Sequence, residues 1–344
     1  MDENRGWQLE AEVEVVQGAE GAVVALERFN NAGITAVAGI IPDSSLTAAD
    51  RAIHDNNMVV VAYLTGFKEN AKPDNVYRVG TNYEHLSEAF VEIMNEDGKN
   101  EVMTLFINSP VSRVLNSSIY DLAGAKSDMT VLGSIKFTPG AISDAEGDSI
   151  RDSVARLIAS AQDTSEIGIF FSGISSSLPV LQAVAELDTG PGSPIRDVTI
   201  YGFDSFRPTI ETDAGTFEFL QRTGGFHGVP SGGHENEESI RIDSILGRSI
   251  TVVTYDSYTS LYILGLAVDL AGTAADADAV KAKMHEAAAS YTPIAARGLP
   301  TDLDANGDVV ERDLHISSIQ HGQFEFTRKY DPDAFHRINQ TIDF

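Results

Sequence analysis

Four apolar runs of the sequence end in the same chemistry. "AGII" passes into Pro42, Asp43, Ser44 and Ser45, and "VVVAY" closes on Tyr63 ahead of Leu64, Thr65 and Gly66. "LFIN" leads to Ser109, Pro110 and Ser112, and "IFFSG" holds Ser172 and Gly173 ahead of Ser175, Ser176 and Ser177. Small hydroxyl residues where a strand becomes a helix set side-chain oxygens beside backbone N–H groups that lack an intrahelical partner. One such turn reads as an N-cap, although the same groups and the helix dipole also hold an anion. Four of them point to a shared ligand cleft, because ligands of open α/β sheets bind outside the carboxyl ends of the strands. A fifth run, "VTIYGFD", ends in Asp204, which suits a cation and equally suits an ordinary turn before Ser205.

Three other motifs invite chemistry. Asp302, Asp304, Asn306, Gly307 and Asp308 in "DLDANGDVVERD" imitate the start of a calcium loop, but Asp313 stands where such a loop prefers a bidentate Glu. His227 and His234 in "GGFHGVPSGGHENEE" fit no common zinc spacing and read as part of a solvated Gly-rich loop. "SGISSS" lacks the second glycine of a G-x-S-x-G elbow, and no histidine is tied to its serines, which weakens a serine hydrolase reading.

The elements that must position these residues alternate. Strand-like runs fall at 9–16, 36–41, 58–63, 101–108, 130–137, 167–173 and 198–204, with helical patterns such as "AEGAVVALERFNNAG" and "DSIRDSVARLIASAQ" between them. Gly33 ends the first of these helices as a C-cap glycine would. Strands alternating with crossover helices predict parallel sheets covered on both faces, in two lobes divided near "YRVGTNYEHL".

With 344 residues, 42% of them hydrophobic, the chain can bury a core in each of two domains. Its 51 acidic and 24 basic residues leave a net charge of -27, and only eight residues are lysines. Nucleic acid and anionic membranes, which are bound through Lys and Arg clusters, are poor candidate partners on that count. The acidity fits a salty habitat as well as general solubility. No cysteine is present, so disulfides and thiolate sites are excluded. "YTSLYILGLAVDLAG" is short for a bilayer span and contains Asp269, so it reads as a core helix. The opening "MDENRGWQLEAEVEVV" is charged from its second residue and carries no apolar export-signal core.

In order along the chain, these segments resemble the type I periplasmic binding protein family, in its branched-chain amino acid and amide binding group. "LEAEVEVVQGAEGAVVALERFNNAGITAVAGIIPDSS" is similar to the family's second strand, its helix and the strand that leads to a serine-bearing ligand turn. "VYRVGTN" resembles the first crossover between lobes, and "FTPGAISDAEGDSIRDSVARLIAS" the approach to the second lobe's inner strands. "VTIYGFDS" resembles the strand whose acidic end faces the ligand, and "TYDSYTSLYILGLAV" the family's Tyr-Asp helix. "TDLDANGDVVERDLHISSIQHGQFEF" resembles its last crossover and hairpin. The counterpart of the family's first strand and helix is missing ahead of "GWQLEAEVEVV", which implies a truncated first lobe.

The resemblance implies two doubly wound, Rossmann-like α/β lobes joined by a three-strand hinge. Lobe I would comprise 1–80 and 229–306, and lobe II 81–228 and 307–344, with a hairpin over 309–329 on lobe II. It implies a non-enzymatic, extracytoplasmic solute-binding protein of an ABC-type transporter, with a membrane permease as partner and no cofactor or metal. The ligand would be a small polar solute, an amino acid or amide, closed in the cleft between lobes. Ser44 and Ser45, with Tyr63 and Thr65 beside them, would hold its carboxylate, and Asp204 its ammonium. Ser109, Ser112, Ser172 and Gly173 would close over it from the second lobe. A ligand sensor of the same fold that controls a partner protein is the alternative.

Overall fold

The β-branched and aromatic runs form the strands. The structure is a computed structural model that describes residues 12–15, 18–40, 43–63, 74–231, 237–247, 252–291, 302–310 and 314–330. In chain order the strands are β1 (Ala36–Ile40), β2 (Val59–Tyr63), β3 (Val76–Arg78), β4 (Glu101–Ile107), β5 (Thr130–Phe137), β6 (Ile167–Ser172), β7 (Thr199–Gly202), β8 (Phe226–Ser231), β9 (Leu314–Gln320) and β10 (Gln323–Tyr330). The helices are α1 (Gly18–Asn31), α2 (Asp43–Asp55), α3 (Tyr83–Glu96), α4 (Pro110–Ala125), α5 (Asp144–Ser160), α6 (Leu178–Ala185), α7 (Arg207–Thr212), α8 (Ala214–Arg222), α9 (Glu237–Leu246), α10 (Val252–Ala271), α11 (Ala277–Lys281) and α12 (Met284–Ser290).

The chain divides into two compact units, Met1–Asn82 with Glu235–Arg312 and Tyr83–His234 with Asp313–Phe344. In the first, β1, β2 and β3 form a parallel sheet in that order. Strand periodicity sends Val60 and Ala62 to one face, against Leu26 and Phe29 of α1 and Leu46 and Ile53 of α2. Val59, Val61 and Tyr63 go to the other, against Ile263 and Ala267 of α10. A strand covered on both faces is apolar throughout, as β2 is.

The second unit carries a seven-stranded sheet in the order β10-β9-β8-β7-β6-β4-β5. The five strands from β8 to β5 are parallel, and β9 runs antiparallel to β8 and turns into β10. The hairpin expected over 309–329 therefore forms, with β9 opening at Leu314. Met103, Leu105, Ile169 and Phe171 pack under α5 and α6, whereas Val102 and Phe170 meet Phe90 and Met94 of α3 and Leu115 of α4.

Arg78, at the end of β3, is buried in an ion-paired clasp. Its guanidinium donates to Asp308 Oδ1 at 2.9 Å and to Asp74 Oδ2 at 3.1 Å. Its backbone N–H bonds Gly307 O at 2.9 Å, and Val309 N–H bonds Arg78 O at 2.8 Å. The clasp thus joins two segments of the first unit a few residues before each leaves it.

Several expectations need correction. Residues 12–15 of the run 9–16 form no strand; Val13 and Val15 are 85% and 93% exposed, while Glu14 and Glu12 pair with Arg28 of α1 at 2.7 and 3.7 Å. The Glu-Val alternation has strand periodicity, yet a strand also needs a neighbour to pair with. The rest of that run lies outside the described residues. "VYRVGTN" contains a short strand, β3, and "FHGVPS" is β8, not part of a solvated loop. Pairing with β7 on one side and β9 on the other overrides the poor strand propensity of its glycine and proline. "YTSLYILGLAVDLAG" is the core helix expected, and among the described residues no helix is long and apolar enough to cross a membrane.

Candidate functional site

In the second unit the polar residues gather where β4, β6 and β7 end. Ser109 takes the N-cap position of α4 with extended backbone, φ -124° and ψ 159°, and accepts from Ser112 N–H at 3.2 Å. Pro110 follows at the first helical turn, where its missing N–H costs nothing. The Ser109 hydroxyl donates to Ser112 Oγ at 3.1 Å, and Ser112 Oγ lies 2.8 Å from Ser172 Oγ, so three hydroxyls form one chain across adjacent strand ends. Ser112 and Ser172 are buried.

Gly173 follows in a tight turn, its N–H on Phe171 O at 3.0 Å. A Cβ there would come within 2.1 Å of the Phe171 ring, so the position requires glycine. Ser175–Ser177 form a 3-10 turn, in which Ser177 Oγ accepts from Ile174 N–H at 3.2 Å.

Asp204 opens a 3-10 turn after β7 and is fully buried. It accepts from the Ser317 hydroxyl of β9 at 2.7 Å, and Arg207 Nε stands 3.8 Å from the same oxygen. Glu211 of α7 is close enough that burial first, and then the Asp204 charge, raise its carboxyl, with Arg207 opposing.

The first unit presents a second polar group. Asp43, Ser44 and Ser45 form the first turn of α2, where backbone N–H groups lack intrahelical partners; Ser44 is exposed and Ser45 buried. Tyr63 ends β2 fully buried, and its hydroxyl is pushed up to about 12 by burial, eased by the Ser257 hydroxyl and reinforced by Asp256. It stays a neutral phenol at physiological pH. Thr65 lies outside the described residues.

The remaining motifs are engaged structurally. Asp304 accepts from Asn306 N–H at 2.8 Å and Asp308 N–H at 3.0 Å, while Asp308 pairs with Arg78. Asp313 and His234 lie outside the described residues, and among the described residues no group of three acidic or histidine side chains is placed to hold a metal. His227 sits in β8 with its ring centroid 5.0 Å from that of Tyr201 and Nδ1 3.7 Å from Asp97. Burial holds it neutral down to about pH 4, with Asp97 opposing and Arg328 and Lys99 assisting.

Sequence reasoning did not single out Ser317, Arg207, Gly228 or Ser257. Ser317 had a signal, a serine pair inside the apolar run "LHISSIQ". Gly228 had none, because its role depends on sheet register.

The sequence profile of a family described as periplasmic binding protein matches residues 16–323. Among curated proteins none matches the chain. Among solved structures, the chain is similar to the leucine binding protein LivK of Thermotoga maritima, with 15% identity, TM-score 0.72, and 92% of this chain and 85% of that one covered. It is also similar to an ABC transporter substrate-binding protein of Desulfitobacterium hafniense in complex with Leu, with 13% identity, TM-score 0.69 and coverage of 90% and 85%. A third is an ABC transporter solute binding protein of R. palustris in complex with 4-hydroxybenzoate, with 10% identity, TM-score 0.73 and coverage of 93% and 85%. At these identities the likeness shows the α/β fold alone.

Proposed function

The chain belongs to the periplasmic binding protein family, a family of solute binders and not of enzymes, and from that premise we propose that it is the extracytoplasmic solute-binding component of an ABC-type transporter. Its ligand is a small polar organic solute of the amino acid or amide class, delivered to a membrane permease. The observation that carries this reading is the chain of hydroxyls from Ser109 through Ser112 to Ser172 at the carboxyl ends of β4 and β6. Buried hydroxyls beside a helix N-terminus favour a polar ligand group that accepts hydrogen bonds.

In this reading Ser44, Ser45, Tyr63 and Thr65 are the ligand contacts of the first unit, binding its carboxylate or amide oxygen. Ser109, Ser112, Ser172, Gly173 and Asp204 are those of the second. Asp204 pairs with the ligand ammonium. The leucine bound by similar proteins supports an amino acid.

A second reading, a carboxylate without an ammonium, is favoured by Arg207 at 3.8 Å from Asp204, because a guanidinium there offsets the acid. The 4-hydroxybenzoate bound by a similar protein fits it. Thermal unfolding with amino acids, their amides and aromatic carboxylates separates the two. A ligand specific for the folded state raises the unfolding temperature in proportion to log concentration once it exceeds Kd. The proposal expects that rise with amino acids or amides; a rise with amine-free carboxylates alone selects the second reading, and no rise with any class rejects both.

A further inference from the structure

Asp204 and its donor Ser317 are 113 residues apart in sequence, and sheet register brings them together. Gly202 of β7 pairs with Gly228 of β8, and Gly228 pairs with Ser317 of β9, so the three stand in one row across the sheet. Two glycines in that row leave the space that a side chain would fill. A Cβ on Gly228 would lie 2.7 Å from Ser317 Oγ and 3.1 Å from Asp204 Oδ1, and one on Gly202 would lie 2.9 Å from Phe171 O. The row is thus shaped around one hydrogen bond. Ser317 is itself fully buried, so its hydroxyl is held for a protein acceptor.

We propose that Ser317 is a positioning residue for ligand recognition, donating from β9 to Asp204 Oδ1 so that the Asp204 carboxylate keeps the orientation that meets the ligand's cationic group. The proposal rests on the reading of Asp204 as the ammonium partner. A three-residue 3-10 turn fixes the backbone of Asp204, and the Ser317 hydroxyl reaches its carboxylate from a different strand at 2.7 Å. Arg207 pulls on Oδ1 from α7, and Glu211 of the same helix repels the charge. The Ser317 donor is the closer of the two contacts on Oδ1, 2.7 Å against 3.8 Å, and a hydrogen bond to a charged acceptor is directional and stronger than a neutral one. β9 therefore takes part in selectivity as well as in the sheet.

The test is calorimetric titration of the full chain with two matched pairs, L-leucine against 4-methylpentanoate and L-phenylalanine against 3-phenylpropanoate. Wild type, Asp204→Asn, Ser317→Ala and Ser317→Thr are compared, each first shown to unfold cooperatively; Ser317→Cys replaces the alanine variant if that one does not fold. A purely structural serine would change affinity for both members of a pair alike. The proposal expects Asp204→Asn to abolish the preference for the amino acid, Ser317→Ala to reduce it about tenfold, and Ser317→Thr to restore most of it. Ser317→Ala, or its cysteine replacement, keeping the full preference while Asp204→Asn loses it overturns the positioning role and leaves the ligand reading standing. An unchanged preference in Asp204→Asn, or a wild type that binds no amino acid, overturns both.

Discussion

Two half-buried ionisable side chains contribute to the expected acid response, each in its own pH window. His227 in the folded protein stays neutral down to about pH 4, whereas in the unfolded chain it takes a proton near its ordinary 6.5. Its contribution is therefore complete above pH 6.5 and declines as pH falls from 6.5 toward 4. His227→Gln should flatten the stability profile in that interval, measured as denaturation midpoints between pH 4 and 7. Asp188 lies lower, near 2 against an ordinary 3.8, chiefly because Arg196 donates to it at 2.6 Å, with Arg222 adding a second donor at 2.9 Å. Its contribution is present above about 3.8 and is lost as pH falls through 2. Asp188→Asn should cost about 1.5–3 kcal/mol at neutral pH and much less near pH 2, by urea unfolding at each pH. At this scale the sequence exposes residue types and strand ends, which is why Ser112, Ser172 and Asp204 stood out. It does not expose Asp188's partners or the Ser317 donor, because those contacts follow from loop closure and sheet register.

Among the elements, the Arg78 clasp and β8 make the sharpest claims. Arg78 is buried and its two acids are half-buried, so removing the guanidinium leaves two carboxylates without their counter-charge. Arg78→Met should destabilise the first unit by about 3–5 kcal/mol, and hydrogen exchange should then quicken at the amides of Arg78 and Val309, whose partners lie across the clasp. Unchanged protection there would contradict the clasp. Gly228→Ala should lower the thermal midpoint and strip protection from β8 and β9, since a methyl group at 228 meets the Ser317 and Asp204 oxygens. The apolar runs that became β2, β4, β6 and β7 were legible because strands covered on both faces need apolar residues throughout. β8 was not, because Gly, His and Pro argue for a loop until two flanking strands are known. The run 9–16 failed in the opposite direction, with the right alternation and no strand over residues 12–15.

For the molecule as a whole, 51 acidic and 24 basic residues leave a net charge of -27, so repulsion among carboxylates opposes folding in dilute buffer. Raising NaCl from about 0.05 to 1 M shortens the Debye length to about 3 Å and should raise the unfolding temperature. A flat or falling midpoint would show that the acid excess costs no stability. In the proposed function, the hydroxyls at the ends of β4 and β6 bind a small amino acid or amide. Calorimetric titration of wild type and of a Ser112→Ala, Ser172→Ala double variant with L-leucine, L-phenylalanine and their amides tests it most directly. Wild type should bind at least one of these saturably and one-to-one, and the folded double variant should bind it more weakly by about 1–3 kcal/mol. Equal affinity in both proteins, or no binding of any by wild type, would contradict it.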